Sequence, residues 1–236
     1  EKDEASQKKA FMGAVIEYGD QKEIIPFIGQ ESAMEYDLTT AIKKISVKDK
    51  PSLALIQGHG EPQPNQMIQA MQALSVIYNM ESYDLAVEPA IPARYQAVLL
   101  FNPVDSLPYD QYGKLNDYLS KGGKVIVAAN AVNGDLSTAA GTVVNHNVFQ
   151  WLASLGVNVE PSFVIDAACA KVTVQQQRTG FFNFASQISF PYIPLMNTFP
   201  DHPATKGLEA VLFQFASPIQ FSSGVEGSFF PIVTTS

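Results

Sequence analysis

The apolar residues of this chain follow two rhythms. Short, nearly unbroken runs occur at Leu53–Ile56, Gln96–Phe101 and Lys124–Ala129, as expected of strands covered on both faces. Between and after them, apolar residues recur at helical spacing. A helix over about 64–76 buries Met67, Met71 and Leu74, one over about 108–120 carries Tyr112, Leu115 and Leu119, and one over 145–155 turns Val148, Leu152 and Leu155 inward. Ile77 to Leu85 reads as a further, less regular strand, followed by a loop at Pro89 and Pro92. Gly122-Gly123 and Gly156 stand where helices stop. Strand–helix alternation of this kind predicts an α/β body, a parallel sheet flanked by helices.

The two ends of the chain read differently. Phe11 to Tyr18 and Glu23 to Ile28 are β-rich and separated by the turn signal Gly19-Asp20, which predicts a hairpin. Ser32 and Glu35 have capping-box spacing, and Leu38, Ile42 and Ile45 follow as a helical stripe with Met34 and Ala41 nearby. Lys43 and Lys44 suit the end of that helix. Residues 130–145 are small and polar and read as a long loop. From Glu160 onward lie eleven of the fifteen Phe but only three basic residues. Short strands are expected at 157–165, 171–176 and 211–221, punctuated by prolines at 191, 194, 200, 203 and 218. The division is therefore an N-terminal hairpin and helix over 1–48, an α/β core over 49–160, and a β-rich, Phe- and Pro-rich extension over 161–236.

Charge narrows the partners. A net charge of −8 over 236 residues argues against nucleic acid or an anionic membrane surface, which need clustered Lys and Arg. One cysteine, Cys169, rules out an internal disulfide and a multi-Cys zinc site. No apolar run approaches the ~18 residues of a membrane span. The chain opens on the charged run Glu1-Lys2-Asp3-Glu4 and reads as a soluble piece of a longer protein, whose membrane anchor would lie outside it.

The most concentrated polar chemistry is Gly58-His59-Gly60-Glu61, directly after the first apolar run. Ligands of open α/β sheets bind beyond the carboxyl ends of the strands. Three such ends would offer His59, Gly60 and Glu61, then Asn102 and Asp105, then Asn130. A helix starting near Pro64 would point free N–H groups at the same region. His59 and Glu61 can be read as an acid–base pair of a hydrolase or transferase. They can equally be read as groups that hold a glycine-shaped loop, rim a binding cleft and brace the next helix, which is the preferred reading. The Gly-x-Gly spacing is not that of a phosphate loop, and no Gly-x-Ser-x-Gly elbow is present. His59, His146 and His202 are too scattered for a helical metal-ligand pair, so no metal and no cofactor is expected. Cys169, without a glycine bracket, reads as a structural thiol. Trp151 lies just off its helix's inward stripe and reads as packing. Phe181-Phe182-Asn183-Phe184 is either core or an exposed docking face, the latter pointing to a purely structural interaction domain.

Several stretches together resemble a known family. They are Gly13–Asp20, Glu35–Lys44, Gly58–Glu61, Ile91-Pro92 leading into Ala97–Pro103, Leu115–Leu119 with Gly122–Val125, Asp201-His202-Pro203 and Phe213–Pro218. In this order they resemble the extracytoplasmic domain of GldG-type auxiliary components of ABC transporters, a family named for its link to gliding motility. In that family an Asp-Pro pair often follows the strand after the Gly-Gly, where Ala129-Asn130-Ala131 stands here. The resemblance implies a body similar to the class I glutamine amidotransferase-like, flavodoxin-like fold, without its catalytic Cys and without established enzymatic activity. It implies a domain on the periplasmic side of the bacterial inner membrane, beside a separately encoded permease and ATPase. Apart from the resemblance, the cleft read from the strand ends would take a polar small molecule or a glycan, or another envelope protein.

Overall fold

The computed structural model describes residues 13–26, 31–47, 49–138, 140–175, 185–222 and 229–236. They fall into two units, one of residues 1–101 and 113–127, the other of residues 102–112 and 128–236.

The first unit begins with the predicted hairpin, β1 (Ala14–Tyr18) and β2 (Gln21–Ile25), in register from Ala14↔Ile25 to Tyr18↔Gln21. Helix α1 (Glu31–Ser46) packs Leu38 and Ala41 against Ala14, Ile16 and Ile25. The inward stripe also takes in Ile45, whereas Ile42 is half-exposed. Helical spacing allowed either set, and the hairpin selects the face bearing the small Ala41. The helix begins at Glu31, which places Ser32 inside its first turn rather than before it. The Ser32 side chain lies outside the described residues.

The central sheet follows. Strand β3 (Ser52–Gln57) leads to a short 3-10 turn at Pro64–Gln66 and to α2 (Ile68–Ser75), so the expected single helix is split at Met67. Then come β4 (Asn79–Asp84), β5 (Tyr95–Phe101), α3 (Tyr109–Ser120) and β6 (Val125–Ala128). The sheet order is β4-β3-β5-β6. β3 pairs in parallel with β4 and β5. The bonds Val98 N–H to Lys124 O (2.8 Å) and Asn102 N–H to Ala128 O (2.7 Å) advance together, so β6 is parallel as well. On one face Leu53, Leu55, Ala97 and Leu99 form a buried cluster with Met67, Met71 and Leu74 packed on it. Ala54, Ile56, Val98 and Leu100 point the other way and are also buried. Each buried aliphatic side chain contributes about 1.5–3 kcal/mol.

A polar network ties the strand starts together. Glu81 accepts hydrogen bonds from Arg94 (2.8 Å), the Tyr95 hydroxyl (2.8 Å), Ser52 (3.1 Å) and Asn79 (3.0 Å). The Arg94 guanidinium, then the Tyr95 hydroxyl, hold the Glu81 carboxyl down at about 2.

In the second unit, residues 130–145 are not an open loop. They form the hairpin β7 (Val132–Asp135) and β8 (Ala140–Val143). Asp135 organises its turn, accepting from the Ser137 N–H (2.8 Å), the Ser137 hydroxyl (2.6 Å) and Thr138 (2.9 Å). Helix α4 (Val148–Ser154) buries Val148 and Trp151. Trp151 stacks on Tyr112 at 5.4 Å, and Leu155 lies beyond the helix and is exposed, so Trp151 is part of the inward stripe.

The expected strand 157–165 is only β9 (Val157–Val159); 171–176 corresponds to β10 (Cys169–Gln175). The longest strand, β11 (Ala185–Met196), runs through Pro191 and Pro194. β12 (Val211–Leu212) and β13 (Ile219–Phe221) split the expected 211–221. The sheets are β10-β11-β12 and β13-β9, both antiparallel. Proline fits β11 because only its carbonyl is asked to bond. Pro191 O accepts from Asp166 N–H (3.2 Å) and Pro194 O from Phe213 N–H (3.1 Å), beside the irregular register at Cys169/Lys171. Phe163, Phe190, Tyr192 and Phe215 gather into an aromatic cluster with centroids 5.3–6.2 Å apart.

Candidate functional site

The Gly58–Glu61 loop leaves β3 at the carboxyl end of the sheet. Gly58 (φ +118°) and Gly60 (φ +76°) hold backbone angles that side chains resist, so the chain can turn sharply on both sides of His59. The turn points His59 inward. His59 is 6 % exposed and Glu61 3 %. The two close on each other: the His59 backbone N–H donates to Glu61 Oε2 at 2.7 Å, and Nδ1 lies 3.0 Å from Oε1. A carboxylate facing Nδ1 selects the ring form with its proton there.

Neighbouring amides lace the rest of the loop. Gln57 Nε2 donates to Ile56 O (2.8 Å) and Pro62 O (3.3 Å), and Gln63 donates to Gln57. The Gln63 N–H donates to Gln66 Oε1 at 2.7 Å, capping the 3-10 turn. Chemically, both Glu61 oxygens are engaged by His59. The pair is a buried staple of its own loop, joined to the start of the following helical segment.

The remaining sequence candidates belong to the second unit. Asn102 follows β5 in the left-handed region (φ +41°), which asparagine tolerates better than most residues, and its side chain is exposed. Asp105 is exposed and Asn130 half-buried. The structure thus brings His59, Gly60 and Glu61 together among themselves, and sets Asn102 and Asn130 just beyond the ends of the paired strands β5 and β6.

Two other histidines behave differently. His202 closes a turn: Nδ1 accepts the Ala204 N–H at 3.1 Å, and the ring stacks on Phe230 at 5.3 Å. His146 stands two residues before α4 and is neither exposed nor a cap. It is 8 % exposed, stacks on Phe149 at 4.9 Å, and both ring nitrogens are buried with no partner. Gln111 Oε1 is likewise buried and unpartnered. Each buried polar group of this kind costs about 1–3 kcal/mol. A lone His in a polar stretch gave no signal of this in the sequence, because its burial depends on Phe149 and on the β8–α4 connection.

Burial also pushes the His146 pKa below its ordinary 6.5. A depressed histidine takes its proton more readily unfolded than folded. Its contribution to stability is complete above 6.5 and is lost as pH falls toward the folded value. The thermal midpoint of the wild type should therefore fall relative to that of His146→Phe as pH drops from neutral to about pH 5. Parallel curves over that interval would show that His146 titrates normally in the folded chain.

Cys169 opens β10, half-buried. Phe181, Phe182, Asn183 and Phe184 lie outside the described residues. Among the described residues, no three His, Cys, Asp or Glu side chains gather as a metal site, and no helix is long and apolar enough to cross a membrane.

Comparison with known proteins adds a family. No curated protein matches the chain. Among solved structures, one described as the mmIFT52 N-terminal domain is similar over 73 % of this chain and 69 % of that one, at 13 % identity and a TM-score of 0.48. The model of the family described as an ABC-type uncharacterized transport system, an auxiliary-component family, matches residues 50–236. That span covers more than half of the chain, including both the His59 loop and the β-rich part, and the chain belongs to this family of ABC-type transport-system auxiliary components.

Proposed function

We propose that the chain is a non-enzymatic binding and scaffold domain of a GldG-type auxiliary component. It is held on the periplasmic side of the bacterial inner membrane, beside a separately encoded permease and ATPase. The observation that carries this reading is the His59–Glu61 pair. Its two carboxylate oxygens are taken up by the backbone and ring of His59, at 2.7 and 3.0 Å, inside a buried loop. A general base needs a free oxygen or nitrogen within reach of a substrate proton. Glu61 has no such oxygen left, which speaks against Glu61 as the base of the hydrolase or transferase alternative and leaves that alternative only the Nε2 of a His59 that is itself 6 % exposed. Family membership supports the transport association. The exposed polar groups Asn102 and Asp105, with the half-buried Asn130, are the positions offered for binding in the second unit.

The test is affinity purification of the full-length protein from solubilised membranes, with an accessibility assay on intact cells. An ABC permease and ATPase should co-purify, and the domain should be labelled from outside the inner membrane. Recovery without ABC subunits, or labelling only after cell lysis, overturns the proposal. So does hydrolysis of model esters or peptides that is abolished in His59→Gln while folding is retained.

A further inference from the structure

The second unit carries a groove of about 510 Å³. Its wall includes Ser106, Asn145, His146, Phe149, Gln150 and Val159. None of its lining residues carries a formal charge at neutral pH, although the chain as a whole has net charge −8. His146 borders this groove, more than nine-tenths buried, with neither ring nitrogen bonded to protein. Asn147 does not share that freedom. It is consumed in holding the groove's base: Oδ1 accepts from the Leu107 N–H (3.1 Å) and the Tyr112 hydroxyl (2.7 Å), and Nδ2 donates to Leu107 O (2.7 Å). The Ser106 hydroxyl accepts the Asn147 N–H at 3.3 Å.

We infer that this groove binds a neutral, polyhydroxylated ligand of the saccharide class, one of whose hydroxyls bonds a ring nitrogen of His146. The chemistry follows from the lining. A neutral imidazole offers one donor and one acceptor, and carboxamides offer both. A hydroxyl is the ligand group that answers either. An anion would meet no cation here, and a cation no carboxylate. Phe149, Val159 and the other apolar walls suit the C–H face of a sugar ring. Phe149 is only half-buried, and its ring yields to admit the ligand to the imidazole stacked on it. The inference uses no residue of the His59 loop, and it stands or falls independently of the proposed transport partners.

The experiment uses the whole chain and ligand-observed saturation-transfer NMR. Glucose, galactose, mannose, N-acetylglucosamine and maltose are the probes, with acetate and inorganic phosphate as the charged comparison. At least one sugar should receive saturation and shift the His146 imidazole nitrogen resonances. The exposed double variant Asn145→Leu/Gln150→Leu, checked for an unchanged thermal midpoint, should weaken that binding roughly tenfold, as expected for losing one or two hydrogen bonds. Silence from all five sugars overturns the inference. Binding undiminished in the double variant does so too, as does displacement of the His146 resonances by phosphate or acetate instead.

Discussion

Gly134→Ala should lower the stability of the protein by about 3 kcal/mol, the upper end of what overpacking costs. Gly134 pairs with Gly141 across the β7–β8 hairpin. A Cβ at position 134 would stand 2.2 Å from the Phe215 ring, far inside contact distance. That ring has little room to retreat. It is 7 % exposed, lies 5.4 Å from Phe163 and 6.2 Å from Phe190, and hangs on a backbone in the left-handed region (φ +57°). A bulky residue keeps such a φ only when its surroundings fix it. In a chain of this size the loss should appear as a thermal midpoint lower by about 6–12 °C. Phe215→Ala also destabilises, by removing a buried ring, but it removes the obstacle as well. The Gly134→Ala/Phe215→Ala double variant should therefore be clearly more stable than the sum of the single losses predicts. Additive losses, or a Gly134→Ala midpoint equal to that of the wild type, would mean that the ring does not seat on the glycine.

The same pair shows what sequence alone could and could not disclose. Leu53–Ile56 and Gln96–Phe101 announced themselves because a strand buried on both faces needs apolar side chains at every position, and the sheet supplies that environment. The hairpin at 132–143 was hidden for the opposite reason. Part of its covered surface is glycine, and the apolar groups that cover it come from Phe163 and Phe215, distant in sequence. Alternation cannot be read where the partner supplies the side chain. β11 was hidden by Pro191 and Pro194, which break a ladder only where an N–H is required, and here their carbonyls do the bonding. In the candidate site, Gly58 and Gly60 correctly signalled a tight loop, since both adopt positive φ. Which way His59 and Glu61 faced was not legible. A two-residue separation permits either an outward acid–base pair or an inward staple, and only the backbone angles decide. The Glu81 network was missed altogether, because Ser52, Asn79, Glu81, Arg94 and Tyr95 converge only once three strands are in register.

Glu61→Ala tests the inward staple, with an expected cost of about 3 kcal/mol. The substitution strands the His59 N–H and its ring N–H in a site only 6 % exposed, where each has bonded to the same carboxylate. Hydrogen bonds to a charged group contribute about 1.5–3 kcal/mol, and a buried donor left without its partner adds a desolvation penalty. Glu61→Gln keeps one acceptor oxygen but places an amide NH2 opposite the other donor, so its loss should be intermediate. His59→Ala with Glu61→Ala removes a donor together with the acceptor, and the double variant should lose less than the two singles combined. Urea midpoints of these variants and of His59→Ala measure the losses, and amide hydrogen exchange locates the effect. Since Gln57 and Gln63 join the loop to the turn before α2, faster exchange should reach Met71 in the Glu61→Ala variant while the Leu99 and Leu100 amides stay protected. A catalytic role makes the opposite forecast. Acid–base residues are commonly held at some cost to stability, so their removal leaves the fold unchanged or firmer while chemistry is lost. A Glu61→Ala protein of undiminished stability that fails in transport would therefore return the loop to the active-site reading. One whose transport falls in step with its folded fraction keeps His59 and Glu61 as the brace of a scaffold.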